Sequence, residues 1–234
     1  MIAPLLGAAA VGAAGVVHAG PALAPVLPGV GPALGLRLCQ PESAGVAITF
    51  DDGPHPQGTP LVLEILREAG APATFFLAGV QVVQRPALAA EIVAAGHRVE
   101  LHCHRHRNQL RLTPAELLDD AERARAAIEE ATGQEIHDYR PPYGIFSASG
   151  LRTIRRRGWR PILWSLWGKD WKRGATAESI AKRATGGAAA GDIMLLHDAD
   201  HYSARGSWAR TVAALPLILE ALEGQGLSPV SLSR

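Results

Sequence analysis

This sequence lacks a charge bias. Its 23 Lys and Arg residues almost balance 22 Asp and Glu residues, leaving a formal net charge of +1, so nothing in the composition points to nucleic acid as a partner. The one dense run of charge is the arginine-rich stretch 152–160. We interpret it as a solvated face, with contact to an anionic polymer as the alternative.

The sequence also contains few cysteines. Cys39 and Cys103 are too few for a disulfide framework, so we predict two free and mostly buried thiols, with a pair between them as the alternative. At 234 residues the chain can bury a full core without such staples. We expect a monomer with one main domain.

The first 36 residues are almost without charge. No Lys or Arg precedes Arg37, and His18 is the only titratable side chain before it. The apolar run 2–17 has the length of a signal-peptide core but falls short of the ~20 residues of a membrane span. Prolines from Pro21 to Pro32 predict an extended spacer. We therefore expect residues 1–44 to be an export signal or weak membrane anchor plus a linker; packing on the domain is the alternative.

From Gly45 onward, apolar runs alternate with helical patterns. Thr59-Pro60 fits an N-cap followed by proline, and Thr113-Pro-Ala-Glu116 fits a capping box. We predict helices that begin near residues 59, 86, 113, 147, 176 and 207, the last interrupted near Pro216. The predicted strands are 46–50, 73–77, 98–101, 137–140, 161–164, 192–196 and 228–232. This alternation predicts βαβ units and a parallel sheet in a domain spanning residues 45–234.

Polar clusters follow five of the predicted strands. They are Asp51-Asp52, His102 to His106, Arg140 to Gly144, Asp170-Trp171 and His197-Asp198. Because catalytic groups gather at the C-terminal ends of the strands in a parallel barrel, the clusters should meet at one mouth. For Asp51-Asp52 alone, a strand-ending turn is the alternative.

The histidine cluster predicts a metal site. His102 and His106 are four residues apart, so on a helical turn they share a face and, with one carboxylate, form a site with open positions for hydrolytic chemistry. In extended backbone, His102, His104 and His106 would face one way as a three-histidine site. The ligand set alone also permits a non-haem iron oxygenase.

The remaining polar residues suit acid–base chemistry. Of two adjacent carboxylates, one can hold a metal while the other accepts a proton. Arg140 can hold a carboxylate in a bidentate fork. His197 suits a general acid, oriented by Asp170 or Asp198. A buried ion pair without catalytic role is the alternative for Arg140 and Asp170.

Five ordered motifs resemble those of the polysaccharide deacetylases, a family that includes chitooligosaccharide, chitin and peptidoglycan deacetylases and some acetylxylan esterases. The motifs are Thr49-Phe-Asp-Asp-Gly-Pro54, His102-x-x-x-His106, Arg140-Pro-Pro-Tyr143, Asp170-Trp171 and Leu195-Leu-His-Asp198. The resemblance covers roughly residues 45–232. It implies a distorted (β/α)7 barrel with the active site at its C-terminal mouth. It also implies a cell-envelope protein that removes N-acetyl groups from an amino-sugar glycan.

The resemblance implies a role for each matched residue. Asp52, His102 and His106 would hold zinc, or else cobalt or nickel. Asp51 would be the base, oriented by Arg140. His197 would protonate the leaving amine, and Asp170 would tune it. The N–H of Tyr143 would stabilise the oxyanion. The substrate pocket would be shaped by Pro142, Tyr143, Trp171 and Leu196.

Three positions depart from the family pattern. Cys103 stands where Ser or Thr is usual, Arg107 replaces Pro, and Trp167 replaces the first Asp of Asp-x-x-Asp-Trp. They bear on substrate choice more than on the metal site. The alternative functions are an O-acetyl esterase acting on xylan-like glycans and an inactive glycan-binding module.

Overall fold

The structure of the protein is a computed structural model that describes residues 15–233. The predicted signal or anchor core, residues 2–17, lies almost wholly outside the described residues. In the part of the chain that is described, no helix is both long enough and apolar enough to cross a bilayer.

The fold of the described residues consists of eight strands, eight helices with defined bounds and the helical residues 15–19. The helices are α1 (Val30–Ala33), α2 (Gly58–Glu68), α3 (Gly79–Gln84), α4 (Pro86–Ala94), α5 (Pro114–Thr132), α6 (Ala148–Arg156), α7 (Ala177–Thr185) and α8 (Ser207–Gly224). The strands are β1 (Val46–Asp51), β2 (Thr74–Ala78), β3 (Arg98–Cys103), β4 (Asp138–Tyr139), β5 (Arg160–Pro161), β6 (Leu166–Trp167), β7 (Ile193–His197) and β8 (Pro229–Val230). Short 3₁₀ turns are Gly20–Leu23, Gln109–Arg111 and Pro142–Gly144.

One parallel sheet organises the molecule. Its strands run in the order β5-β4-β3-β2-β1-β7-β6, and β8 pairs with the start of β1. Every residue of β1 is buried, as expected of a central strand covered on both faces. The predicted parallel (β/α) barrel is therefore confirmed, as a curled sheet surrounded by helices.

The register of the strands determines which residues meet at the C-terminal mouth of the barrel. At the last residue of β1, Asp51 is in register with Phe76 of β2 on one side and His197 of β7 on the other. Because all three strands run the same way, their C-terminal ends meet at one mouth. Strand pairing thus brings the polar residues at the ends of these strands to that mouth.

Within the barrel, the structure differs from the predicted elements at β6, α3 and α8. β6 and α3 were not predicted, because both are too short for a periodic pattern to develop. The last helix is not interrupted: α8 runs continuously with Pro216 inside it. Pro216 is exposed, so the hydrogen bond it cannot make is lost on the solvent side of the helix.

Residues 20–40 pack on the barrel. The predicted extended spacer is instead a 3₁₀ turn followed by α1, and Ala24 and Leu36 are buried in the core. Residues 37–40 hydrogen-bond to residues 161–163 beside edge strand β5 and to Gly191 before β7. They bridge the two sides of the sheet and precede the predicted domain start at residue 45. Both thiols are free as predicted. Cys103 is buried, but Cys39 is exposed, so the predicted burial is wrong for Cys39.

Candidate active site

A cavity of about 400 Å³ opens at the C-terminal mouth of the barrel. All five polar clusters contribute residues to its wall, the fourth through Trp171, while Asp170 does not line the cavity and instead contacts His197. The lining residues are Asp51, Asp52, His102, His106, Tyr143, Gly144, Trp164, Trp167, Trp171, Leu195, His197, Tyr202 and Ser203.

Asp52, His102 and His106 form a group with metal-binding geometry. Each offers one ligand atom, and these atoms lie within 4.8 Å of one another. Nε2 of His102 is 3.3 Å and Nε2 of His106 is 3.5 Å from Oδ1 of Asp52. Among the described residues no other group of this kind is present, so the alternative set with His104 does not form.

The donor atoms fit a divalent cation. Oδ1 of Asp52 and Nε2 of His102 are both buried without a hydrogen-bond partner among the described residues, although an unpaired buried polar atom is costly. Nδ1 of His102 donates to the carbonyl oxygen of Arg140 at 2.9 Å, and this contact leaves the Nε2 lone pair for a ligand. Two imidazoles and one carboxylate match the ligand set of catalytic zinc sites.

The electrostatics agree with ligand chemistry. Burial lowers the pKa of His106 to about 4, outweighing the attraction of Asp52, so its ring is neutral near pH 7. Burial opposes ionisation of Asp52, but the adjacent His102 and the charge of His197 together hold the pKa of Asp52 well below its ordinary value. His106 therefore offers a neutral imidazole and Asp52 an ionised carboxylate, the forms that bind metal.

The backbone that presents the histidines is not a helical turn, so that prediction was wrong. β3 continues to Cys103, and residues 104–108 form bends and coil after it. Asp120 of α5 shapes this stretch: its carboxylate accepts from the N–H of His104 at 2.7 Å and of Arg105 at 3.2 Å. Arg107, which departs from the family pattern, also donates to Asp120, at 3.0 Å.

Sequence reasoning missed Asp120 and Tyr202. Tyr202 stacks on the ring of His106 at 4.3 Å, and Tyr143 meets that ring edge-on at 4.4 Å. The signal for Asp120 was available, since it is a charged residue on the apolar face of a helix between Leu117 and Ala121. Tyr202 lies in an irregular loop, where periodicity carries no information.

Asp51 and Arg140 form a fully buried ion pair beside the metal group. Nη1 of Arg140 donates to Oδ1 of Asp51 and to Oγ1 of Thr49, both at 2.7 Å, while Nη2 donates to the carbonyl oxygen of Leu163 at 3.0 Å. The predicted bidentate fork is therefore not formed. One guanidinium nitrogen engages Oδ1 of Asp51, and Oδ2 remains to accept a proton.

His197 and Asp170 form a second pair across the cavity. Nδ1 of His197 is 2.9 Å from Oδ1 of Asp170, whose Oδ2 accepts from the His197 N–H at 2.7 Å and from Thr211 at 2.8 Å. Burial lowers the pKa of His197, but the Asp170 carboxylate outweighs it and raises the pKa to about 10. His197 thus carries a proton at neutral pH, and Nε2 lies 4.0 Å from Oδ2 of Asp52.

Aromatic side chains line one wall of the cavity. Trp171 meets the ring of His197 edge-on at 5.4 Å, and Trp167 and Trp164 continue the row at 5.7 and 5.8 Å. Trp167 is another departure from the family pattern, so its ring lines the wall where the pattern has an Asp carboxylate.

Two predicted pocket residues do not line the cavity. Leu196 is fully buried and lies against Gly168. Because side chains alternate along a strand, Leu195 faces the cavity together with His197. Pro142 is also buried outside the lining, whereas Tyr143 is exposed at the mouth.

Two residues that border the cavity have a strained backbone conformation. Asp52 and Tyr143 have positive φ angles of 78° and 62°, a conformation that non-glycine residues rarely adopt. Such strain persists where the surrounding structure enforces it, and it clusters at functional sites. Both residues border the cavity.

Comparisons with known proteins agree with this geometry. The sequence pattern of the family described as polysaccharide deacetylase matches residues 40–162. A chitooligosaccharide deacetylase from Azorhizobium caulinodans is 34% identical over 199 residues, covering 82% of this chain and 94% of the relative.

Solved structures give the same result. A peptidoglycan N-acetylglucosamine deacetylase has a TM-score of 0.80 at 26% identity, covering 88% of this chain and 95% of that one. A CE4 family pseudoenzyme from Bacillus anthracis has a TM-score of 0.74 at 27% identity, covering 83% and 66%. By sequence and by fold, this chain belongs to the polysaccharide deacetylase family.

Proposed function

We propose that this protein hydrolyses N-acetyl groups of an amino-sugar oligomer or polymer, of the chitin or peptidoglycan kind, with a divalent metal bound by Asp52, His102 and His106. The observation that carries the proposal is the orphaned pair of buried ligand atoms, Asp52 Oδ1 and His102 Nε2, set between a buried carboxylate and a protonated histidine. The names of the relatives support the acetylated glycan as substrate.

Amide hydrolysis needs a proton taken from water and a proton given to nitrogen. When bound, a divalent cation, zinc in our proposal, supplies Lewis-acid polarisation of the acetyl carbonyl and acidifies water. Oδ2 of Asp51 takes the proton of the attacking water while Arg140 engages Oδ1. His197 gives its proton to the sugar nitrogen as the C–N bond breaks, and Asp170 holds the ring in place.

The pocket residues fix the substrate. We propose that the N–H of Tyr143 donates to the developing oxyanion, and that Trp171 and Leu195 enclose the acetyl methyl. The three-tryptophan wall offers apolar faces against which a pyranose ring can lie. The products are acetate and a free amine.

The test is acetate release from chitin oligomers, peptidoglycan and acetylxylan, with and without a chelator. We expect release from an N-acetylated glycan, loss of release with chelator, and recovery with zinc. Asp51→Asn should keep zinc binding and lose 10²-fold or more in turnover. Full turnover of that variant, or glycan binding without acetate from any substrate, would contradict the proposal; the second outcome would match a pseudoenzyme.

A further inference from the structure

An exposed apolar segment lies on the outside of the barrel. Five large apolar side chains within residues 16–27 are 47–73% exposed, namely Val16, Val17, Leu23, Val26 and Leu27. They are half of the large apolar side chains exposed among the described residues. Exposed apolar side chains concentrated in one short segment indicate a contact with a partner or a membrane.

Exposed arginines lie beside this segment. Arg152, Arg155 and Arg156 of α6 are exposed, and they line one groove together with Pro21 and Leu34. Arg155 also ties α6 to the residues just after α1, since its Nη2 donates to the carbonyl oxygens of Leu34 and Gly35. The arginine face and the apolar segment are therefore neighbours.

No carboxylate in either element offsets this positive charge. The first acidic residue of the chain is Glu42, and α6 contains no Asp or Glu. Arg157, just past α6, is neutralised by Glu122. Arg152 and Arg156 have no ion-pair partner among the described residues, so the face is cationic.

The same segment reaches the catalytic mouth. Pro25 lies against Gly144, where an added side chain would meet its Cγ at 3.1 Å. Gly144 and Tyr143 line the cavity. A surface that contacts residues 16–27 would therefore hold the mouth of the active site close to itself.

We propose that residues 16–27 and the arginines of α6 form a docking face for an anionic lipid bilayer, which holds the catalytic mouth near the membrane surface. Apolar side chains beside basic ones are the pattern of interfacial membrane binding. An anionic polymer in water would use the arginines and gain little from valine and leucine. This docking does not depend on the proposed reaction, so either can fail without the other.

The test is sedimentation of the full chain with vesicles of phosphatidylglycerol or of phosphatidylcholine. We expect binding to the anionic vesicles that weakens with salt, and far less to the neutral ones. The double variant Arg152→Gln/Arg156→Gln should lose roughly 25-fold in partitioning, about five-fold for each charge. Val26→Ser/Leu27→Ser should also lose binding.

Matched controls lie elsewhere on the surface. Val83→Ser changes a side chain as exposed as Val26, at 62%, and Arg67→Gln removes an exposed arginine of α2; both should bind like the parent protein. Arginine-dependent binding to soluble polyphosphate, together with vesicle binding that Val26→Ser/Leu27→Ser leaves intact, would identify a polymer face and overturn the proposal. Equal binding by all variants, or sedimentation without vesicles, would also overturn it.

Discussion

Two carboxylates near His197 differ in which side chains they contact. Asp170 bonds His197, whereas Asp198, the next residue along the chain from that histidine, turns away from it and accepts from the hydroxyl of Thr59. Oδ1 of Asp198 has no hydrogen-bond partner among the described residues, and an added side chain at Gly53 would collide with it. Of the two predicted orienting residues, Asp170 has the geometry for the task, and Asp198 instead supports the loop after β1.

Replacing Asp198 with Asn should change how stability depends on pH. Burial raises the pKa of Asp198 from its ordinary 3.8 to about 7. Its contribution to stability is therefore fully present below pH 3.8 and is lost as pH rises through 7. Asn stays neutral, so the variant should gain roughly 2–3 kcal/mol on the parent protein between pH 5 and 8. Urea unfolding of the metal-free proteins at both pH values measures this; curves that keep a constant separation would refute it.

Removing the imidazole of His197 should separate amide from ester substrates. An amine leaves only when protonated, so His197→Ala should lose roughly 10²–10⁴-fold on a chitin oligomer. An alkoxide leaves more easily, so the loss on an acetate ester should be smaller. His137→Ala, at the opposite end of the barrel before β4, is the control. Equal losses of turnover on the amide and the ester would show that His197 does not act as the general acid.

At the scale of elements, the arrangement of Asp52, His102 and His106 depends on the loop after β3, whose conformation is stabilised by a contact with α5. β1 delivers Asp52 and β3 delivers His102, but His106 lies beyond β3 on irregular backbone. The Asp120 carboxylate holds that backbone from α5, a helix whose start is fixed by the capping box of Thr113 and Glu116. The position of His106 therefore depends on a helix that contributes no ligand.

Truncating Asp120 should weaken metal binding without removing a ligand. Asp120→Ala leaves two loop N–H groups without their acceptor, and the loss of such supporting contacts typically lowers metal affinity 10–100-fold. Calorimetric titration with zinc measures the change. Asp119→Ala, one residue earlier on α5 and exposed at 60%, is the matched control, and Asp120→Asn, which keeps one acceptor, should fall between. Equal affinity of Asp120→Ala and Asp119→Ala would refute the role.

At the scale of the whole molecule, the three candidate metal ligands Asp52, His102 and His106 come from parts of the chain that are distant in sequence. Asp52 follows β1 and the two histidines lie at the end of β3 and beyond it, with β2 between these strands in the sheet. A ligand that binds the folded state alone stabilises it in proportion to the logarithm of its concentration. Metal occupancy should therefore appear in global unfolding as well as in activity.

Chelation should lower the melting temperature. Zinc at a hundred times its dissociation constant adds about 2.7 kcal/mol, which for a domain of this size is roughly 5–10 °C. Differential scanning calorimetry with zinc and with chelator gives the difference. Asp52→Ala should show no zinc-dependent shift, and Asp119→Ala should keep it. An unchanged melting temperature in the parent protein would count against a metal held by these three residues.

The sequence predicted the features that follow from strand pairing, such as the meeting of the polar clusters. It did not predict the features that depend on irregular backbone, such as the loop after β3. The clusters after β1, β3, β4 and β7 met because parallel strands end at one edge. The helical turn assumed for His102 and His106 was wrong, because β3 runs on to Cys103 and side-chain contacts to Asp120 shape the loop beyond it. The prediction for Leu196 was wrong because the two-residue alternation of β7 turns Leu195, and not Leu196, toward the cavity.

Residues 37–40 have a consequence for how the chain folds. They hydrogen-bond to partners beside β5 and before β7, which come much later in the sequence. Contacts between residues so far apart carry a large loop-closure cost and form late. The barrel can nucleate from neighbouring βαβ units before residues 37–40 make their contacts. Substitutions in residues 37–40 should therefore accelerate unfolding and leave the refolding rate almost unchanged.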